Sequence, residues 1–348
     1  MKRLTFGYAA ASMDPLCALE CGILAEKSGF DTFWVPDHFI DINGDRLEPW
    51  TVLSAVAART RKIRLGSAVT DTQRNHPART AHLVTCLDVI SRGRAILGIG
   101  AGEAMNTVPF GLPWEPPQER VARLSETIQV IRLLWASSRE EPVSFTGQYY
   151  RLENAFLTQS PRQKPGPPIY VGAFASKAGL EVVGHLADGW LPWFNTADTF
   201  RKRWSVIKEA AQSRGRSLDE IEPATHIMMA FPRNAAEKRD ALLAAKAFLL
   251  TEKKVLMALE KEVSLPVLHY QNLVASKDYV AKIMEAAKAL PDHVVHEVMS
   301  IGGIDELKEK IDDLRRVGVR HFAIADLLAP KNQRRTLQML RKVIKQYR

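Results

Sequence analysis

Cysteine is scarce. Cys17, Cys21 and Cys86 are the three in 348 residues, too few for a disulfide framework and in keeping with a reducing cytosol. Cys17 and Cys21 stand four apart on an expected helix, the spacing of two buried thiols. There is no Cys-x-x-Cys pair and no Gly-x-Ser-x-Gly elbow, so the sequence signs of a zinc ribbon and of an α/β-hydrolase nucleophile are missing. His293-Val294-Val295-His296-Glu297 has the letters of a zinc-protease motif in the wrong order, and reads as a helix face. No metal is expected. No apolar run reaches the length of about 18 residues that a membrane span requires. The run after Met1-Lys2-Arg3 is too short for a signal peptide, and the cytoplasm is the expected compartment. Charge of one sign is not concentrated either. The net charge of +9 is spread along the chain, which suits a solvated face that attracts an anionic small molecule and implies no nucleic-acid partner.

What the chain does hold is 46% hydrophobic residues, enough for a large core, in alternating strand and helix patterns. Strands are expected at 4–8, 30–35, 62–70, 94–100, 169–173, 188–191, 224–231 and 320–326. Helices fall between them, among them Asp14 to Ser28 with Asp14 as N-cap and Gly29 as its stop, Pro49 to Thr60, and Pro77 to Ser91. Units of about 30 residues of this kind mark parallel β/α architecture. Residues 143–152 read as a short hairpin, and residues 235–300 as a helical insertion in one domain spanning 1–348. The segment from Lys27 to Asp37 echoes that from Arg316 to Asp326: helix end, glycine, strand, aspartate. Eight strands with this repeat point to an α/β fold, a closed (β/α)8 TIM barrel.

The most informative stretch is Arg94 to Asn106. A short apolar run breaks into Gly98, Gly100 and Gly102, followed by Glu103 and Asn106. Alternate glycines let a backbone approach a flat or anionic ligand closely. A dinucleotide fingerprint is not met, because Glu103 occupies the third glycine position and no acidic strand end follows about 20 residues later. In a barrel, strand ends meet at one mouth. That mouth would gather Asp37, His38, Thr70, Asp71, Glu103, Asn106, Ala173 to Lys177, Trp190 to Trp193, His226 and Asp326. A histidine facing a carboxylate makes an acid/base pair. His226, mid-strand, reads as a core or pocket-wall histidine. The turn after the fifth strand can aim backbone amides and a helix N-terminus at a phosphate.

These motifs together resemble the luciferase-like superfamily of flavin and deazaflavin oxidoreductases. The resemblance is carried by Trp34-Val35-Pro36-Asp37-His38, Glu48-Pro49-Trp50-Thr51, Leu65 to Thr70 with Asn75-His76-Pro77, and above all Arg92 to Glu103 with Asn106. That last motif resembles the branch using coenzyme F420, which includes phthiodiolone-type ketoreductases, sugar-phosphate dehydrogenases and methylenetetrahydromethanopterin reductase. The resemblance implies a bacterial luciferase-like barrel. It implies hydride transfer between a deazaflavin ring in the barrel mouth and a small organic substrate, with FMN-dependent monooxygenation or non-catalytic flavin binding as alternatives. It implies His38 and Glu103 as catalytic residues. It implies cofactor contacts from Asp37, Asn106, the segment Ala68, Val69 and Thr70, the turn Gly100, Ala101 and Gly102, and a phosphate loop of Gly172, Ala173, Phe174, Ala175 and Ser176. It further implies a non-proline cis peptide at Ala68–Val69 and a homodimer built on the early helices. The chain departs from the sugar-phosphate enzymes at Ile42, where they carry tryptophan, and no Lys/Arg set for a sugar phosphate is evident.

Overall fold

The computed structural model describes residues 3–10, 13–40, 47–251, 256, 276–329 and 331–348. Eight parallel strands close into a ring: β1 (Thr5–Ala9), β2 (Thr32–Val35), β3 (Arg64–Ser67), β5 (Ala95–Gly100), β8 (Ile169–Val171), β9 (Gly189–Trp190), β10 (Glu222–Ala230) and β12 (His321–Asp326), with β12 pairing back onto β1. A two-residue strand, β4 (Thr70–Asp71), continues β3 after a break at Ala68–Val69, where the peptide bond is cis. The expected hairpin is present as β6 (Val143–Thr146) and β7 (Arg151–Ala155). A short β11 (Ser300–Ile301), which the sequence pattern did not announce, pairs with the end of β10.

The helices form for local reasons. In α1 (Pro15–Ser28) the Asp14 carboxylate accepts from the amides of Leu16 and Cys17, and Gly29, at a φ of 90°, ends the helix in the left-handed region. In α2 (Pro49–Arg59) Glu48 caps in the same way. The far end of α2 is held by Arg94, whose buried guanidinium donates to the carbonyls of Ala57, Thr60 and Ile63 and to Thr60 Oγ1. Its place in the motif is thus structural: it satisfies carbonyls that a helix end leaves unpaired. Around the ring follow α3 (Pro77–Ser91), α4 (Pro117–Ala136), α5 (Lys177–Leu186) and α6 (Ala197–Ser213). After β10 come α7 (Ala235–Leu250), α8 (Lys277–Ala289) and α9 (Asp292–Val298), then α10 (Ile304–Arg316) and the closing α11 (Gln333–Gln346). Helices α7 to α9 share a second apolar core with Met105, Phe194 and Ala230 at the strand ends.

The barrel interior is layered, and period-2 alternation explains how. Trp34, Ile96, Tyr170, Leu191, Ala224 and Ala323 pack together inside the ring. The large rings fit because Gly7 and Gly66 stand beside Trp34: a Cβ on either would lie 2.5 Å or 2.3 Å from the indole. Two residues further along each strand come Ala9, Pro36, Ala68, Gly98, Gly172 and Ala325, together with Trp193 and His226. This upper layer is small except where β9 and β10 lead into it.

Candidate active site

His38, Glu103 and Asn106 meet at the mouth. His38 Nε2 lies 3.4 Å from Glu103 Oε1, with side chains 11% and 21% exposed. Asn106, at the end of a single 3-10 turn, is buried and fixes both. Its Oδ1 accepts from the amides of Phe39 (2.6 Å) and Ile40 (2.8 Å). That assigns the other terminus as the NH2 group, which reaches His38 Nδ1 at 3.3 Å and Glu103 Oε2 at 3.2 Å. An amide nitrogen only donates, so the neutral His38 imidazole accepts at Nδ1 and carries its proton on Nε2, turned toward Glu103.

Asp37 is brought to the same region but is consumed by protein partners. Thr70 Oγ1 donates to its carboxylate at 2.7 Å, and Arg74 pairs with it at 3.0 Å. Arg74 also donates to the Asp37 carbonyl (2.6 Å) and to Asp71 (2.5 Å), and its guanidinium lies 4.6 Å from the Phe39 ring centre. Burial pushes the Asp37 carboxyl up, and Arg74 and Thr70 oppose that. Arg74 is the residue that motif reading missed.

The glycines of the central stretch act differently from the expectation. A Cβ on Gly98 would sit 1.9 Å from the carbonyl oxygen of Ser67, and one on Gly100 or Gly172 would meet Val69 at 2.9 Å and 3.0 Å. The close neighbour they admit is therefore the β3–β4 segment, with Val69 lying over all three. Gly102 has a φ of 85°, a turn conformation suited to glycine; it is followed by Glu103, and Ala101 precedes it at the end of β5.

After β8, Gly172, Ala173, Phe174 and Ala175 lead to Ser176, whose Oγ caps α5 by accepting from the Gly179 amide at 3.2 Å. Lys177 is 81% exposed and faces Glu181. The cation over this loop is instead Arg203 of α6, 4.5 Å from the Phe174 ring centre and bound to Asn195. Trp190, expected in the mouth, points outward, because the inward-facing positions of this segment are Leu191 and Trp193, just past β9. It packs at a tilt on Phe200, stacks on Trp204 and donates to the Ala173 carbonyl at 2.7 Å. Asp326 is also not in the mouth. Strand β12 runs through it, so alternation turns it outward, where it accepts from the Leu328 amide and burial raises its carboxyl. His296, part of the motif with inverted order, pairs with Glu306 at 2.7 Å on the outer surface.

A parallel eight-stranded barrel with a broken third strand and a His–Glu–Asn cluster over its mouth defines a luciferase-like oxidoreductase. Residues 6–321 match the luciferase-like monooxygenase family, to which the chain belongs. It is 34% identical over 238 residues to an F420-dependent glucose-6-phosphate dehydrogenase of Microbacterium testaceum, covering 66% of this chain and 68% of the relative. It is 28% identical over 327 residues to the phthiodiolone/phenolphthiodiolone dimycocerosates ketoreductase of Mycobacterium tuberculosis, covering 86% and 84%. Among solved structures, an F420-dependent secondary alcohol dehydrogenase in complex with an F420–acetone adduct superposes with a TM-score of 0.83 at 25% identity, over 99% of both chains. The F420-dependent tetrahydromethanopterin reductase of Methanopyrus kandleri has the same fold, with a TM-score of 0.80 at 24% identity over 99% of this chain and 100% of the other. Among the described residues, no helix is long and apolar enough to cross a membrane.

Proposed function

We propose that this protein is a coenzyme F420-dependent oxidoreductase that moves a hydride between the deazaflavin and a small carbonyl, alcohol or C=N substrate. The carrying observation is the His38–Glu103–Asn106 cluster above an interior layer of alanine and glycine, in a chain whose relatives are named for F420. The small upper layer suits a flat ring: barrel interiors are ordinarily filled by bulky branched side chains, and here Ala9, Ala68 and Ala325 leave that space. The residues that would hold the ring are Ala68, Val69, Thr70, Asn106 and the turn Gly100 to Gly102, with Gly172 to Ser176 and Arg203 toward the phosphate. When bound, F420 supplies the hydride chemistry.

The chain's own residues manage the proton. His38 Nε2–H faces the carboxylate of Glu103 at 3.4 Å, and Asn106 holds the imidazole with that nitrogen outward. With the imidazole neutral, Nε2–H holds a substrate oxygen by a hydrogen bond, and the proton that this oxygen gains on reduction comes from the Glu103 carboxyl, which is left as a carboxylate and takes the proton back in the reverse direction. Asp37, tied to Arg74 and Thr70, positions the backbone that carries His38. The whole chain acts as one barrel, with α7 to α9 closing one side of the mouth. The exposed Leu16 of α1, at 76%, supports pairing of two copies through the early helices, which light scattering would detect. The free thiols Cys17, Cys21 and Cys86 suit the cytoplasm.

Two titrations test the reading. Fluorescence titration should show F420 bound more tightly than FMN; tighter FMN binding with oxygen uptake would favour the monooxygenase alternative. Glu103→Gln and His38→Ala should each lower turnover by about 10² or more, with a smaller effect on F420 binding. Near-native rates in both would remove the assigned roles.

A further inference from the structure

Only β9 and β10 lead large side chains into the upper layer. Trp193 and His226 lie face to face, ring centres 3.7 Å apart and planes within 8°. His226 is 3% exposed, and neither of its ring nitrogens makes a well-formed hydrogen bond among the described residues, although the Pro192 carbonyl lies near enough to favour an N–H on the ring. Its surroundings are otherwise well paired. The His226 amide donates to the Pro192 carbonyl at 2.9 Å, and the neighbouring Thr225 hydroxyl is bound to Asn195. The fold thus fixes the imidazole in place and leaves its polar edge without a well-formed hydrogen bond among the described residues. A buried polar group in that condition destabilises the fold, and its retention points to a bound molecule that completes it.

Position indicates which molecule. In the ring order, β9 stands four strands from β2, which leads into His38, so the Trp193–His226 pair faces the catalytic cluster across the mouth. The β3–β5–β8 side, with Val69 over its glycines, is the side read above as the ring cradle. The wall behind the pair is aromatic: Phe248 of α7 meets Trp193 and Phe194 at 6.2 Å and 5.2 Å. Charge is absent from the pair itself, and among the described residues the cations Arg74 and Arg203 are already engaged. Arg74 serves Asp37 and Asp71, and Arg203 serves Asn195 and Phe174.

We propose that Trp193 and His226 form the substrate-recognition wall: they take an uncharged, apolar part of the substrate, and one imidazole N–H donates to a hydroxyl or carbonyl oxygen on that part, away from the carbon that reacts beside His38 and Glu103. The substrate class is an oxygenated aryl or alkyl carbonyl compound or its alcohol, not a sugar phosphate. This rests on the oxidoreductase reading above.

The test uses the F420-loaded protein and three probes: acetophenone, 4-hydroxyacetophenone and glucose 6-phosphate. Probe binding is read by calorimetry and F420 binding by fluorescence. The wild type should bind 4-hydroxyacetophenone about tenfold more tightly than acetophenone, one charge-neutral hydrogen bond's worth, and glucose 6-phosphate more weakly than either. His226→Phe should erase the preference for the hydroxylated probe while leaving F420 affinity within about twofold, and His226→Gln should restore part of it. In the protein without F420 or probe, His226→Phe should raise Tm, because an unpaired polar ring is replaced by an apolar one of similar shape. A purely structural histidine would show the reverse. No preference in the wild type, an unchanged preference in His226→Phe, or tighter binding of the sugar phosphate would overturn the proposal. A large loss of F420 affinity in His226→Phe with the probe preference intact would assign the residue to the cofactor instead. Failure of the wild type to bind F420 at all would count against the oxidoreductase reading and is visible separately in the first titration.

Discussion

At the scale of single residues, the site depends on side chains that do no chemistry. Asn106 sets the tautomer of His38 because its own carbonyl is committed to the Phe39 and Ile40 amides. Arg74 does comparable work on Asp37, the residue before His38. Its side chain is 4% exposed and pairs with both Asp37 and Asp71, so its removal would leave two carboxylates without their counter-charge. We expect Arg74→Ala to cost about 3–5 kcal/mol, as breaking a buried pair does. Arg74→Lys should cost less but still lower activity, since an ammonium cannot reproduce the planar fork that reaches a carbonyl and two carboxylates. Urea melts of the two variants check this, and a melt of Arg74→Ala within about 1 kcal/mol of the parent would contradict the ion-pair argument. His38, Glu103 and Asn106 were legible as a constellation because their motif is compact in sequence. Arg74 was not, because nothing in the order of residues says that a surface-looking cation folds back under the Asp37 carbonyl. Asp326 was misplaced for a different reason. It matches Asp37 in the internal echo, but β2 stops at Val35 and frees Asp37 to turn, whereas β12 runs on through Asp326 and keeps it outside.

At the scale of elements, the strand and helix rhythm was readable almost throughout, since Asp14, Gly29 and the Pro-initiated helices are local signals. The third strand was read as unbroken over 62–70 but splits at Ala68–Val69. The break explains the glycines. Gly98 is required by a backbone atom, the Ser67 carbonyl 1.9 Å from where its Cβ would be; Gly100 is required by a side-chain methyl of Val69 at 2.9 Å. A carbonyl within a paired strand cannot yield, whereas a methyl group can shift. Gly98→Ala should therefore destabilise the fold by about 3 kcal/mol or more and Gly100→Ala by about 1–2 kcal/mol, the ordinary range for overpacking. Were the glycines there for the ligand alone, Gly98→Ala would fold normally and lose only F420 affinity, an outcome that thermal melts and fluorescence titration together would reveal. The layer pattern was present in the sequence as well, in Gly7–Ala9, Gly66–Ala68, Tyr170–Gly172 and Ala323–Ala325 at two-residue steps. It becomes meaningful only once the ring is closed and the inward register is known.

At the scale of the whole molecule, two imidazoles are buried inside the barrel and both are held neutral. His321 lies at the base of the barrel and His226 near its mouth. The Trp34 indole, a donor only, gives its proton to His321 Nε2 at 3.0 Å, and the Thr5 hydroxyl lies 2.9 Å from Nδ1. A protonated imidazole would set N–H against N–H at Trp34, so the fold requires His321 neutral. Burial holds both histidines down to about 3, against an ordinary value near 6.5. The sign follows from proton binding. Between these values the unfolded chain takes up a proton at each site and the folded chain does not, so stability is complete above about pH 6.5 and is lost progressively as pH falls toward 3. Each histidine contributes a slope of about 1.4 kcal/mol per pH unit across that window. Glutamine in place of His321 can accept from Trp34 and donate to Thr5 without titrating. In urea melts from pH 7 to pH 4, His321→Gln should therefore be flatter with pH than the parent by about one proton, whatever its absolute stability at pH 7. Equal slopes in the two proteins would mean that His321 is protonated in the native barrel, and the Trp34–His321 hydrogen bond could not then hold as described.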